Sequence, residues 1–458
     1  MKIWQYQKWL DLWKKLTSGS TNRKIFGAAV TVGIGTGFVK VASVGKELVV
    51  AWKFGTAGDL DAFLIALVVP FLITNVIAGS FNAALIPTYI QVREQSGIKA
   101  AQKLFSGAIA WSLGLLGITT VLMLATAPLY LPKMAAGFSA EKLDLTYKLL
   151  CAIAPIILLS GTSAIWGAVL NAGEKFALVA VTPIITPIIT MLFLFGINSW
   201  GVFSLASGLV CGQLLEMIVV GIALWRQGIS LLPKWYGFDT HLSEVAGQYA
   251  PMMAGAFLMC STGLVDQSMA AILPSGSVAS LNYGNRIISL PVTITSTALS
   301  TAVIPYFSKM IAREDWTNVR HTLKHYLGLI FAVSIPLTGL IILFSEPIVQ
   351  LLLQRGSFTA NDTHLVAQIQ ACYAFQIPFY IASILVVRLI SAMRNNQILM
   401  WGSGGNLIVN IGLNYLLMQW LGVPGIALST SGVYLFSFLF LFLVAVRRLK
   451  QTELNLKV

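Results

Sequence analysis

Charged side chains set inside long apolar runs are the residues of this chain with chemistry to perform. Arg286 lies a turn or two inside the stretch 280–309 (SLNYGNRIISLPVTITSTALSTAVIPYFSK), which is apolar and long enough to cross a bilayer. A charge at that depth costs about 2.5–3.5 kcal/mol on insertion scales, so it belongs against a water-filled cavity or a partner. Snorkelling to the interface is the alternative, because Arg286 is near the start of its run. Lys40, Lys46 and Glu47 share the first apolar run, Asp61 opens the second, Glu216 lies in the sixth, Asp266 in the seventh and Arg388 in the tenth. Lys40 and Glu47 are seven residues apart and share a helix face two turns from each other, with Lys46 displaced from both. Glycines at 33, 35 and 37 near Lys40 permit close helix approach or bending.

If Lys40, Lys46, Arg286 and Arg388 face one cavity with Asp61 at its rim, the cavity is net basic. Such a cleft suits an anionic headgroup, and phosphate above all: Arg can grip two phosphate oxygens while Lys offers a point charge. Glu47, Glu216 and Asp266 are then candidates for coupling an ion or balancing charge, and simple neutralisation between helices stays open for Glu47 and Glu216. No GxxxxGK[ST] run, catalytic triad, metal-ligand cluster or acidic pair at catalytic spacing stands out. The pattern is that of a gradient-driven transporter without a resident cofactor, with Na+ or H+ as the ion that could be coupled. It is not the pattern of an enzyme.

The elements that position these charges follow from composition. Of the 458 residues, 57% are hydrophobic and only 10% charged, which a soluble protein cannot solvate. Twelve runs have the length of a transmembrane helix: 25–51, 60–91, 105–131, 143–170, 177–198, 201–224, 245–273, 278–308, 323–344, 364–392, 397–421 and 423–446. The net charge of +13 is not a nucleic-acid signal once the charges are placed. Twenty Lys and Arg fall in segments on the side of the termini. Four (Lys53, Lys133, Lys142 and Arg355) fall in loops on the other side. That bias puts both termini in the cytoplasm. Residues 1–24, with Trp4, Trp9, Leu12, Trp13 and Leu16 near one face, read as a cytoplasmic interfacial helix. The four cysteines lie in apolar runs without disulfide or zinc spacing.

An internal repeat relates the halves. Asn82-Ala83-Ala84-Leu85-Ile86-Pro87 is echoed by Ser300-Thr301-Ala302-Val303-Ile304-Pro305, 218 residues later. The region around Cys151 and Pro155 is echoed around Cys372 and Pro378. An offset containing six spans returns the chain to the same side, so the repeats are parallel. This predicts an all-α polytopic protein with a six-helix lobe at 25–224, a cytoplasmic linker at 225–244, a second lobe at 245–446 and a cytoplasmic tail at 447–458.

Three motifs give the chain a family resemblance. They are Lys46-Glu47-Leu48-Val49-Val50-Ala51 with Phe54-Gly55 and Leu60-Asp61-Ala62-Phe63; Ser280-Leu281-Asn282-Tyr283-Gly284-Asn285-Arg286 with Leu290-Pro291 and Ile304-Pro305; and Arg355-Gly356-Ser357-Phe358-Thr359. The chain thereby resembles the MurJ (MviN) lipid II flippases of the multidrug/oligosaccharidyl-lipid/polysaccharide exporter superfamily. The resemblance implies a V-shaped two-lobe fold that alternates between inward- and outward-open states. The implied cargo is an undecaprenyl-pyrophosphate-linked peptidoglycan precursor, carried across the bacterial inner membrane. Arg286 matches the family's cavity arginine and Asp61 its acidic residue at the start of the second span. Lys40 and Lys46 stand where the family has arginines, Thr74-Asn75 replaces an arginine pair, and the twelve spans lack two C-terminal helices of typical members. The implied partners are the lipid-linked saccharide and membrane lipids, with the protein a monomer that could work beside cell-wall synthesis proteins. A flippase for an exopolysaccharide or O-antigen unit is the runner-up. A drug antiporter would want an acidic cleft, a scaffold should tolerate loss of Arg286, and a glycan polymerase should show large outer loops with carboxylates, where the longest here is 345–363.

Overall fold

A computed structural model describes residues 21–237, 239–393 and 396–455. The predicted interfacial helix at 1–24 lies almost wholly outside them. All regular structure among the described residues is helical. In chain order the helices are α1 (Thr21–Phe54), α2 (Gly58–Thr74), α3 (Ser80–Met134), α4 (Ala140–Ile153), α5 (Pro155–Ala172), α6 (Phe176–Val181), α7 (Ile185–Gly196) and α8 (Phe203–Trp225). They continue as α9 (Thr240–Ala270), α10 (Ser277–Ala312), α11 (Trp316–Leu343), α12 (Ser345–Leu353), α13 (Ala360–Ala374), α14 (Gln376–Ala392), α15 (Asn396–Leu421) and α16 (Val423–Asn455).

Among the described residues, seven stretches are long and apolar enough to cross a membrane by length and composition. The longest, Gly58–Met134, has 77 residues and holds two predicted spans. Its break is Gly97, whose φ of 83° and ψ of 174° lie where only glycine is comfortable. The other predicted spans fall on α1, α9, α10 and α15, of 34, 31, 36 and 26 residues. Even the shortest is about 39 Å long at 1.5 Å per residue, enough to span. α9 and α15 are more polar because they carry Asp266 and a row of asparagines. Among the described residues, helices thus cover all twelve predicted spans in the predicted order. One predicted loop differs: 345–363 contains the nine-residue helix α12, which buries Val349 and Leu353.

The repeat is visible in the breaks as well as in the residues. A single residue, Ala154, separates α4 from α5, and Phe375 separates α13 from α14, 221 positions later. Pro155 at the first position of α5 explains the first break, since it has no N–H to continue the helix of α4.

The chain forms two compact units. The first holds the described residues up to Val49, Ile73–Leu122 and Ala152–Met252. The second holds Val50–Leu72, Met123–Cys151 and the chain from Met253 onward. In the first, Gly208 and Gly212 let α8 approach α7 so closely that added Cβ atoms would lie 2.8 and 2.7 Å from the Cα atoms of Thr190 and Thr186. Among Gly33, Gly35 and Gly37 of α1, Gly35 has this role, against Val181; Cβ atoms on Gly33 and Gly37 would meet nothing within 4 Å. A π-helical turn, Asn75–Gly79, follows α2. The Tyr249 hydroxyl donates to the Ile77 carbonyl in that turn at 3.2 Å, and Phe81, Trp111 and Tyr249 pack edge to face around it. The second unit has two apolar cores. One gathers Ile65, Leu281, Ile369, Tyr373 and Ile426; the other Phe307, Leu323, Leu385, Phe438 and Leu441.

Gly356 has a φ of 60°, and a Cβ there would strike the Trp52 carbonyl. Gly356→Ala should therefore add a clash to the roughly 1–3 kcal/mol of backbone strain that Gly97→Ala carries alone. Thermal unfolding in detergent should rank wild type, then Gly97→Ala, then Gly356→Ala. Equal midpoints for the two variants would contradict the close approach at Trp52.

Candidate functional site

The part of the first motif from Val50 onward meets the other two motifs in the second unit. The α1–α2 turn, at 55–57, is held from several directions. The Tyr283 hydroxyl donates to the Gly55 carbonyl at 3.1 Å. The Ser357 amide donates to the Trp52 carbonyl at 2.9 Å, and the Ser357 hydroxyl to the Lys53 carbonyl at 3.0 Å. Thr56 donates to Asp362, whose carboxylate also closes the capping box at the start of α13. The Tyr283 and Phe358 rings pack edge to face at 5.6 Å. Residues some 230 and 300 positions away thus fix the turn that leads into Asp61.

Asp61 is 1% exposed. Its Oδ2 accepts the Gly276 N–H at 2.6 Å and the Lys142 ammonium at 3.0 Å; its Oδ1 accepts the Ala279 N–H at 2.8 Å. Gly276 and Ala279 belong to the start of α10, the helix that carries Arg286. Gly276 has no side chain to cap that helix, so Asp61 caps it from a distance and meets the positive end of its dipole. Lys142, counted from the sequence among the outer-side charges, is the counter-ion of Asp61 and lies in the first turn of α4. Nothing local could reveal this pairing, since 81 residues separate the two.

Asp266 is buried in the same unit and satisfied differently. Its Oδ1 accepts the side-chain amides of Asn410 at 2.9 Å and Asn414 at 2.6 Å, and its Oδ2 the Thr430 hydroxyl at 3.2 Å. The amide oxygens of Asn410 and Asn414 are themselves buried without a partner. A cavity of about 470 Å³ opens here, with Asp266, Asn410, Thr430 and Arg388 among its lining residues. Asn406, Asn410 and Asn414 recur every four residues in an apolar span, a one-face signal that the sequence carried and the charge-centred reading passed over.

The remaining candidates are dispersed. In the first unit Lys46 pairs with Glu47 at 2.9 Å, Glu216 accepts the Thr186 hydroxyl at 3.0 Å, and Lys40 is exposed. In the second, Arg286 is exposed on α10 and Arg388 is partly buried on α14. Asp266 and Arg388 share a cavity, whereas Asp61 is engaged by Lys142 and the α10 amides.

Asp266→Ala should leave two amides and a hydroxyl without their acceptor, costing about 1–3 kcal/mol for a stranded buried group. Asp266→Asn retains an acceptor oxygen and should cost less. Melting in detergent checks this, and equal losses would show that the three donors are satisfied elsewhere.

Comparison with known proteins bears on the whole arrangement. The family described as "Lipid II flippase MurJ" matches residues 50–457. A protein of Synechocystis sp. named "Probable lipid II flippase MurJ" is 27% identical over 96% of this chain and 84% of its own length. One of the same name from Thermotoga maritima is 27% identical over 90% and 83%. A solved structure of lipid II flippase MurJ in an inward closed conformation superposes with a TM-score of 0.79 at 25% identity, covering 93% of this chain and 90% of that one. An inward-facing multidrug MATE transporter of the MOP superfamily gives 0.74 at 12% identity, with 93% and 98% coverage, a likeness of fold alone. The match spans residues 50–457, a range that holds both the Asp61 clasp and the Asp266 cluster, and the chain belongs to the lipid II flippase MurJ family.

Proposed function

We propose that the chain carries lipid II, the polyprenyl-pyrophosphate-linked precursor of peptidoglycan, from the inner to the outer leaflet of the bacterial inner membrane by alternating access. The observation that carries this reading is the family match over most of the chain together with Arg286 at the family's cavity position. The protein is a transporter and not an enzyme. Arg286 grips the pyrophosphate through two oxygens, and Lys40, Lys46 and Arg388 add positive charge toward the same headgroup. The cytoplasmic placement of both termini rests on the twenty-to-four charge bias.

The membrane potential supplies the drive. About two negative charges on the pyrophosphate move outward from a negative interior, at roughly 2.3 kcal/mol per charge per 100 mV, or about 4.6 for two. A coupled cation is the second reading, and the Asp266 cluster favours it. A carboxylate beside two amides and a hydroxyl is an oxygen-rich set of the kind hard cations use, once the amides rotate their unpartnered oxygens inward.

Two measurements test these points. Arg286→Ala should lower flipping in proteoliposomes by roughly tenfold to a hundredfold, the equivalent of a charge-assisted contact of about 1.5–3 kcal/mol, while Arg286→Lys keeps part of the rate. Normal growth of a depletion strain carrying Arg286→Ala would remove Arg286 from the mechanism. With pH and Na+ equal on both sides, flipping should rise as valinomycin and K+ make the interior more negative. A rate blind to voltage yet responsive to an imposed Na+ or H+ gradient, and lost in Asp266→Asn, would favour the coupled cation.

A further inference from the structure

Lys142 was expected to be an ordinary loop charge, and its surroundings argue otherwise. Its ammonium is 3.0 Å from Asp61 Oδ2, 3.2 Å from Ser275 Oγ and 4.0 Å from the centroid of the Phe138 ring. Its side chain is only 15% exposed. A lysine that serves topology alone keeps its ammonium in water; this one is held between a carboxylate, a hydroxyl and an aromatic face. Ser275 immediately precedes Gly276, so Lys142 touches both the carboxylate that caps α10 and the turn that starts it.

The start of α10 has no side-chain cap from its own N-cap residue. Its capping residue is Gly276, at a φ of 92°, and a Cβ there would sit 2.6 Å from the Thr56 carbonyl oxygen. A side chain that could cap the helix locally is therefore excluded. The N–H groups of Gly276 and Ala279 depend on Asp61, and Asp61, buried, depends on a positive partner. Arg286 follows Gly276 by ten residues on the same helix, about 15 Å along its axis. Over that length a helix is stiff, so the rotation and height fixed at Gly276 are passed to Arg286.

We propose that Lys142 is a positioning residue for cargo transport: by holding Asp61 against the start of α10, it sets where Arg286 presents its guanidinium. This rests on the reading of Arg286 as the pyrophosphate grip. The clasp has a polarity that a simple ion pair lacks. A pair alone tolerates exchange of its charges. Here a lysine at position 61 would face two N–H donors and the positive end of a helix dipole, so exchange fails. A residue acting through Arg286 is also epistatic to it, whereas one that merely stabilises the fold adds its loss independently.

The test uses the full-length protein in proteoliposomes loaded with lipid II, with rates expressed per folded molecule and melting recorded in parallel. Lys142→Met and Lys142→Gln should each slow flipping at least about tenfold, since each leaves a buried carboxylate without its counter-charge. Lys142→Arg should recover most of the rate. Asp61→Lys combined with Lys142→Asp should stay inactive. Lys142→Met combined with Arg286→Ala should be no slower than Arg286→Ala alone. Hydrogen exchange at the Gly276 and Ala279 amides should quicken in Lys142→Met and return to the wild-type rate in Lys142→Arg. Wild-type rates in Lys142→Met, recovery by the charge-exchanged pair, or a loss that simply adds to that of Arg286→Ala would each overturn the proposal. A wild-type protein that moves no lipid II would overturn the function itself. The hydrogen-exchange result would then decide whether Lys142 positions α10.

Discussion

A carboxylate taken out of water must be given donors, and this protein meets that demand twice by different means. At Asp61 the donors are two backbone amides and an ammonium, so a full charge is met by a full charge and a helix dipole. At Asp266 they are two side-chain amides and a hydroxyl, dipoles without a counter-charge. The first arrangement draws three remote segments of the second unit together and dictates much around it. Gly55, Gly276 and Gly356 all have positive φ because the backbones they join pass too close for a side chain. The second leaves amide oxygens buried beside a cavity, where a visiting cation could use them.

The family motifs acquire a physical meaning from this geometry. Phe54-Gly55 places a carbonyl under the Tyr283 hydroxyl, and Arg355-Gly356-Ser357-Phe358 brings an amide to Trp52 and a ring to Tyr283. Their recurrence as separate signatures is the linear trace of one structure. Thr74-Asn75 sits at the entrance to a π-helical turn whose Ile77 carbonyl is taken by Tyr249. A π turn widens the helix and turns a carbonyl outward, which a nearby donor then satisfies.

The helical passes were legible because each is an apolar run of membrane length, and the charges inside them were legible because charge is rare there. The Lys46–Glu47 pair is local and could be anticipated. The partner of Asp61 could not, because an ion pair across 81 residues leaves no periodicity. Lys142 differs in sequence from Lys133 in nothing that marks it for burial. The asparagine row in α15 was legible in principle, at a spacing of four, yet a search for formal charge passes over neutral amides. The break at Gly97 was also hard to see, since glycines are frequent throughout these spans and only the backbone angle singles this one out. Helix α12 was hidden by its length, nine residues being too few for a hydropathy window.

Pairing also decides which cations can serve a cargo that must be released. A group locked against a carboxylate contributes to the fold but offers little to a passing phosphate; that describes Lys142 at 15% exposure. Lys40 and Arg286 are exposed, and exposure weakens any single grip because water screens it. A flippase gains from that weakness. A deep, dry cluster of arginines would bind pyrophosphate tightly in both leaflets and slow its release, whereas a grip shared between a fork-shaped guanidinium and a compact ammonium holds orientation with less affinity. On the proposed transport reading, a milder grip leaves more of the outward bias to the field across the membrane. That field acts on the moving cargo charge and leaves the protein's own charges where the helices hold them.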